Sequence, residues 1–208
     1  MNVLTLLKMP NPRMTDIVRS LARQVREELN DRLPRRVGVI AVNHFNQNFR
    51  DAGWRDNGLH PWQETIRQRE GKGADAKRTP LISAAPHLSR SIEARPRPGA
   101  VRIINAVPYA KIHNEGGELV THPTVTNKLR KMAWARVYAI AKGLDGKLPK
   151  DLPEDARKWK AIALTKKDKL SINIRMPKRQ FIGNSAELLK KIDDTIISTI
   201  KRLMNNAR

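Results

Sequence analysis

The sequence predicts an α+β fold: a small antiparallel sheet flanked by long N-terminal and C-terminal helices, with a basic helical insertion between two strands. Three observations carry this. Apolar residues recur at helical spacing near both ends, they alternate with a period of two in short central segments, and between about 123 and 169 the composition turns strongly basic. With 208 residues, 39% hydrophobic and 4% aromatic, the chain reads as a single domain, 1–208, carrying an insertion at about 123–169.

Thr15 is placed to cap a helix in which Ile17, Leu21, Val25 and Leu29 repeat every four residues, with Val18 and Ala22 widening the stripe, as far as about Leu33. Pro34 suits the first turn of a second helix, whose Val37, Ile40, Ala41, Phe45 and Phe49 keep helical spacing until Gly53 ends it; His44 flanks that stripe. Turn formers and charge then dominate, so Trp54 and Trp62 are expected to pin an irregular loop to the core. HLSRSI starts as a short helix. Strands follow near Ser91 to Arg95 and from Ala100 to Ala106, joined by a turn at Arg97-Pro98-Gly99. Pro108 begins a helical turn carrying Tyr109 and Ile112, which Gly116 and Gly117 end by supplying positive φ, and Glu118 to Thr121 forms another strand.

From Thr126 to Lys142 a helix carries Leu129, Met132, Ala133, Val137 and Ile140 on one face, with Gly143 as its terminator and Lys128, Lys131 and Lys142 on another face. The stretch after it, to about Lys169, reads as loop-like. Leu170, Ile172, Ile174 and Met176 then alternate as a strand. Asn184 and Glu187 stand in capping-box spacing ahead of a last helix striped by Leu189, Ile192, Ile196, Ile200 and Leu203. Before it, Phe181 is expected to anchor the turn into that helix, between Arg179, whose guanidinium can hold a carboxylate or a carbonyl, and Gly183, which permits a tight bend.

Charge narrows the function. The chain holds 41 Lys and Arg against 20 Asp and Glu, a net +21, and nucleic acid is the usual partner of such an excess. Pro123 to Leu170 alone has ten Lys and three Arg against five acidic residues, net +8, so Lys128, Lys131, Lys142, Lys166, Lys167 and Lys169 lead the candidates for phosphate contact. Trp134, Tyr138 and Trp159 lie in the same excursion. The chain has no cysteine, which removes disulfides, thiolate metal sites and cysteine nucleophiles and fits a reducing compartment. No apolar run approaches a membrane span, and MNVLTLLKMPNP is too short and too soon broken by proline for a signal peptide. A soluble protein made inside a cell is expected.

Catalytic readings are weak. Asp56 with Glu70-Gly71-Lys72 has the spacing of a metal-dependent nuclease, but that chemistry needs its ligands on a rigid strand and the triplet lies in a glycine-rich loop. His113, Glu115 and His122 form no closed metal-ligand pattern, and Gly53 to Gly58 has Leu59-His60 where a phosphate-gripping loop needs Lys-Ser/Thr. No enzyme, metal or cofactor is expected.

FRDAGWRDNGLHPW, HLSRSI, VPYAKIHNEGG and PKRQFIG, in that order before a terminal helix, resemble the phage virion morphogenesis (tail completion) family in its Mu-like version. The residues carrying the likeness are Trp62, Pro108, Tyr109, His113, Gly116, Gly117, Arg179, Phe181 and Gly183, over a span from about Phe45 to Leu203 apart from the central excursion. SAAPH stands where the family often has an Asp-Thr-Gly-like turn. The resemblance implies a structural component of a virion, or of a prophage-derived particle, at the neck or head-proximal tail end, serving tail completion and head–tail joining. It implies a homo-oligomeric ring around the DNA channel, a hexamer, made in the host bacterial cytoplasm. Its neighbours would be neck, connector or tail tube proteins and, without sequence preference, packaged DNA. The competing reading from charge is a freestanding, sequence-independent nucleic-acid-binding protein.

Overall fold

The computed structural model describes residues 12–71, 73–74, 76–141 and 147–206. The first helix, α1 (Pro12–Glu27), starts earlier than the expected cap at Thr15 and does not stop at Leu33. A π-helical turn, Glu28–Arg32, carries it directly into α2 (Leu33–Arg50), because the flanking residues Glu27 and Leu33 keep right-handed helical φ and ψ. Pro34 cannot donate to the preceding turn. The wider π-turn accommodates that loss, so the expected break becomes a defect within one long helix.

The same defect turns Glu28 inward. Its carboxylate is buried and accepts from Arg36 at 2.5 Å and Arg202 at 2.6 Å, while Arg36 also donates to the Thr199 hydroxyl at 2.8 Å. On α2 the expected stripe is the core: Ala41, Phe45 and Phe49 are buried, and His44 lies buried among them rather than flanking them. The helix ends at Arg50, where Ala52 adopts a left-handed φ of 52°. Gly53 is therefore not the terminator but the first residue of β1 (Gly53–Arg55), which pairs with β2 (Leu59–Pro61) in a hairpin that the turn-rich sequence hides. A side chain at Gly53 would sit 2.7 Å from the His60 carbonyl oxygen, so the pairing itself requires glycine.

Past the hairpin, Thr65 and Gln68 form a capping box for α3 (Ile66–Glu70), and Arg67 holds the following loop by donating to the carbonyls of Arg78, Thr79 and Ile82. The short helix α4 (His87–Arg90) leads into β3 (Ile92–Arg97) and β4 (Ala100–Asn105), paired from Ile92↔Asn105 to Arg97↔Ala100 around Gly99, whose φ is 68°. This hairpin packs on α2 at Gly38, where an added Cβ would come within 2.8 Å of the Ala94 Cβ. Then α5 (Ala110–Glu115) closes on Gly116 and Gly117, with φ of 73° and 126°.

The segments expected as strands are strands, but they form separate two-stranded ladders instead of one sheet: β5 (Gly117–Thr121) pairs only with β6 (Ile172–Met176), from Gly117↔Met176 to Thr121↔Ile172. The chain divides into two compact units, one built from the sequence up to Gly116 and from Pro177 onward, the other from Gly117–Met176. In the second unit α6 (Asn127–Ala141) packs on α7 (Glu154–Leu164) through Ala133, Val137, Ala141, Ala156 and Ala163, small side chains that let two helices approach closely. The stretch read as loop-like thus contains a helix. Its start is legible afterwards in Pro153 followed by Glu154 and Asp155, acidic residues at the positive end of the helix dipole. Lys142 and Gly143 lie outside the described residues.

The last helix, α8 (Ala186–Asn206), is capped by the Ser185 hydroxyl, which accepts from the Leu188 N–H at 3.2 Å; Asn184 is not the cap. Of the expected stripe, Ile192, Ile196 and Leu203 are partly buried, but the rest of the packed face differs. Leu188 and Thr199 are buried, whereas Leu189 and Ile200 are about half exposed, because α8 rests on α2 and Thr199 is drawn inward by Arg36. One core cluster joins α2, both hairpins of the first unit, Ala110, Phe181 and Leu188.

Removing the Glu28 carboxylate leaves Arg36 and Arg202 facing a buried position without their anion. Because both arginines keep partial solvent access, Glu28→Ala is expected to cost about 2 kcal/mol, less than a fully buried pair would. The shift of the urea midpoint at constant m measures it.

Candidate functional site

The motif residues of the first unit converge on one irregular stretch, residues 177–185, which has neither helix nor strand. Such backbone has to find partners elsewhere. Asn114, in the α5 turn, supplies two of them: its Oδ1 accepts from the Phe181 and Ile182 N–H groups, both at 2.9 Å. The Arg179 N–H donates to the His113 carbonyl at 2.9 Å, the Trp62 indole donates to the Gln180 carbonyl at 2.9 Å, and the Asn48 amide donates to the Phe181 carbonyl at 3.3 Å. At the far end Ser185 donates to the Arg55 carbonyl, and the Asp56 carboxylate accepts from the Ala186 N–H at 2.8 Å.

Phe181 is 1% exposed and packs its ring 5.0 Å from Phe49, which in turn meets Trp62 edge-on at 5.6 Å. Arg179 is buried, and its Nε and Nη2 both donate to the Gln63 carbonyl at 3.0 Å. Gly183 has no left-handed φ, so the bend does not require glycine for backbone conformation; a side chain there would meet the Gln180 amide nitrogen at 2.4 Å, the tip of a flexible side chain that can shift aside. Pro108 precedes the α5 turn, and Tyr109 sits at its head, half exposed, with its ring edge-on to His113 at 5.8 Å.

The surroundings of His113 disfavour its protonated form. Burial lowers its pKa, the Arg179 cation lowers it further, and ring Nδ1 is buried without a hydrogen-bond partner. An adjacent guanidinium also disfavours a bound cation. Asp56, the first member of the nuclease-like triplet, is committed to the N-terminus of α8, and Lys72 lies outside the described residues. Among the described residues no group of three or more His, Cys, Asp or Glu side chains could hold a metal. Sequence reasoning missed Asn114, Asn48 and Ser185 and met Asp56 only in the nuclease-like triplet. Asn114 stood inside the quoted motif, between His113 and Glu115, and Ser185 is a local cap for Leu188; the bonds that Asn48, Asp56 and Ser185 make to partners more than a hundred residues away leave no local signal.

The lysine candidates occupy the second unit. Lys128 and Lys131 are exposed in the first part of α6, and Lys166, Lys167 and Lys169 are exposed after α7. These two stretches are tied together: Arg130 donates to the carbonyls of Ala163 and Thr165, the Val125 N–H donates to the Asp168 carbonyl, and Thr124 bridges to Lys169. Five of the six candidates therefore share one end of the unit. Trp134 and Trp159 pack against its core, while Tyr138 is partly exposed, so the surface offers charge to phosphates more than rings to bases.

The sequence profile of the phage virion morphogenesis family matches residues 11–201. The chain belongs to the phage virion morphogenesis family. No curated protein and no solved structure matches it. Membership gives the protein a role in building the phage virion and makes it virion-associated, and the family is a morphogenesis family rather than an enzyme class. Among the described residues no helix is long and apolar enough to cross a membrane.

Two measurements follow, the first on the clamp that holds 177–185. Phe181→Ala is expected to lose about 3–5 kcal/mol of stability, and Asn114→Ala about 2–3 kcal/mol through two unsatisfied N–H groups. Either variant melting like the parent would show that the clamp is not structural. The second measurement concerns pH. Burial lowers the pKa of His44 from 6.5, and nearby Lys191 adds to the shift. The unfolded chain binds protons that the folded His44 and His113 reject, so stability rises with pH across this window and is lost as pH falls from about 7 through the folded pKa values. Thermal midpoints measured from about pH 7.5 to about 5.5 should fall, and fall less in His44→Leu.

Proposed function

We propose that the protein completes the tail at its head-proximal end and joins it to the head, as a non-enzymatic ring, a hexamer, around the channel through which DNA passes. The observation that carries this reading is the family match over residues 11–201. The geometry supports it in two ways. The motif residues hold backbone rather than converge on a reactive centre, as expected of a scaffold whose surfaces do the work. The basic end of the second unit supplies diffuse phosphate contact, which suits DNA of any sequence passing close by. Neck, connector and tail tube proteins are the neighbours this position requires.

Phage lacking the gene should yield filled heads and separate tails in electron micrographs, with joining restored by the wild-type copy. Intact joined virions in its absence would instead favour a freestanding nucleic-acid binder. Binding of the purified protein to duplex DNA should weaken steeply with salt, by a slope of about 0.9 per phosphate contacted, and replacing Lys166, Lys167 and Lys169 by Ala should reduce that slope by up to about 2.7. Sequence-selective, salt-indifferent binding would overturn the phosphate assignment.

A further inference from the structure

Two apolar surfaces of the first unit have no partner among the described residues. The first is the face of α1, where Met14, Ile17 and Val18 are 61%, 66% and 58% exposed. Among the described residues the only extensive contact of this helix is with the π-turn that follows it. A helix of this length gains most of its stability from packing its apolar face, so a bare stripe calls for a covering surface. The second is a groove of about 290 Å³ between α2, β4 and α8, lined by Val37, Ala41, Val101, Ile103 and Ile192, with Leu189 on its rim 52% exposed.

The helix cannot fill the groove of its own chain. The backbone stays helical from Pro12 through the π-turn to Arg50, and α2 itself forms one wall of the groove. Val25 therefore stands about 18 Å up the same helix axis from Val37, and the stripe could reach the groove only if that helix broke. A second copy meets no such constraint. The exposed parts of Met14, Ile17 and Val18, with those of Leu189, Ile197 and Ile200 on and beyond the rim, offer on the order of 600 Å² of apolar surface, a fitting share of the roughly 1,600 Å² in a standard interface.

We infer that α1 of one copy docks into the α2–β4–α8 groove of the next copy. The contact is heterologous, one surface meeting a different one, and repeats of such a contact close into a ring or run on as a filament. It is helix-in-groove recognition, with Met14, Ile17 and Val18 as the anchoring side chains. The inference rests on the ring reading above and names the surfaces that would build it. It also explains how α1 can display an apolar face in a chain of net +21: each copy repels the next at a distance, and the interface relies on apolar burial.

The chain has no cysteine, so single thiols report the contact cleanly. Ile17→Cys and Leu189→Cys both replace exposed residues and should leave the thermal midpoint unchanged. Under oxidation, at raised salt to screen the mutual repulsion and also in virions carrying the variants, each alone should give no cross-link. A mixture of the two should give a disulfide-linked dimer, and the doubly substituted chain a ladder of multimers. The inference is overturned by Ile17→Cys cross-linking to itself, by the double variant closing only within one chain, or by no cross-link at all, as when another segment or protein fills the groove. A cyclic arrangement seen in virions without the cross-link sinks this inference and spares the ring reading. The cross-link found without a cyclic arrangement does the reverse.

Discussion

The first unit depends on satisfying the irregular backbone between β6 and α8. Nothing in residues 177–185 pairs within a helix or a ladder, so their N–H and C=O groups are met by Asn48 from α2, Trp62 after the first hairpin, and Asn114 with the His113 carbonyl from the α5 turn. Phe181 adds the apolar anchor, and Asp56 with Ser185 fixes where α8 begins. The start of α8 is thus fixed by groups far from it in sequence, Asn48, Asp56, Trp62 and Asn114 among them.

A second constraint acts at the opposite end of α8. The π-turn forced near Pro34 brings Glu28 inside, and its carboxylate gathers Arg36 from α2 and Arg202 from α8. The two long helices are pinned at one end by charge and at the other by the clamp, with the aromatic cluster between them. Such a frame holds its exposed faces in fixed relation, which is what a structural protein must offer its neighbours. The imidazole of His44, buried among aromatic rings, and that of His113, half-buried beside Arg179, fit the same picture: burial favours the neutral ring in both.

The second unit works on a different physical basis. Its core is small, built from alanines and Val137 with Leu152, and is flanked rather than filled by Trp134 and Trp159. Close helix packing leaves nearly every long charged side chain outside, and Arg130 ties the strand-proximal ends together by holding the carbonyls after α7. A concentrated positive end follows from this economy of core, and with it sequence-independent attraction to phosphate.

How much could be read from the sequence follows the range of the interactions. Local chemistry was legible: the stripe of α2, the β3–β4 hairpin from its alternation and Gly99, the α5 turn closed by Gly116 and Gly117, and the start of α6 at Thr126, whose hydroxyl accepts from the Leu129 N–H. Phe181 as an anchor and Arg179 as a carbonyl holder were legible too, since residue type and flanking turn define both roles. Local signals misled where a distant partner outweighed them. Pro34 announces a break, yet Glu28 with Arg202 and the packing of α2 keep the helix continuous. Asn184 has the capping spacing, yet Ser185 takes the cap because its hydroxyl also reaches the Arg55 carbonyl. Leu189 belongs to the apolar stripe of α8, yet it is Leu188 that packs into the core, and Leu189 is half exposed. The sequence by itself determined most of the helices and strands, though not α7 or the β1–β2 hairpin, together with the sign of the charge and the family motifs, because these rest on neighbours within a few residues. Only the tertiary structure decided which strands pair, which face of α8 is buried and that 177–185 is held by Asn114, because each of those rests on groups that folding alone brings within hydrogen-bonding distance.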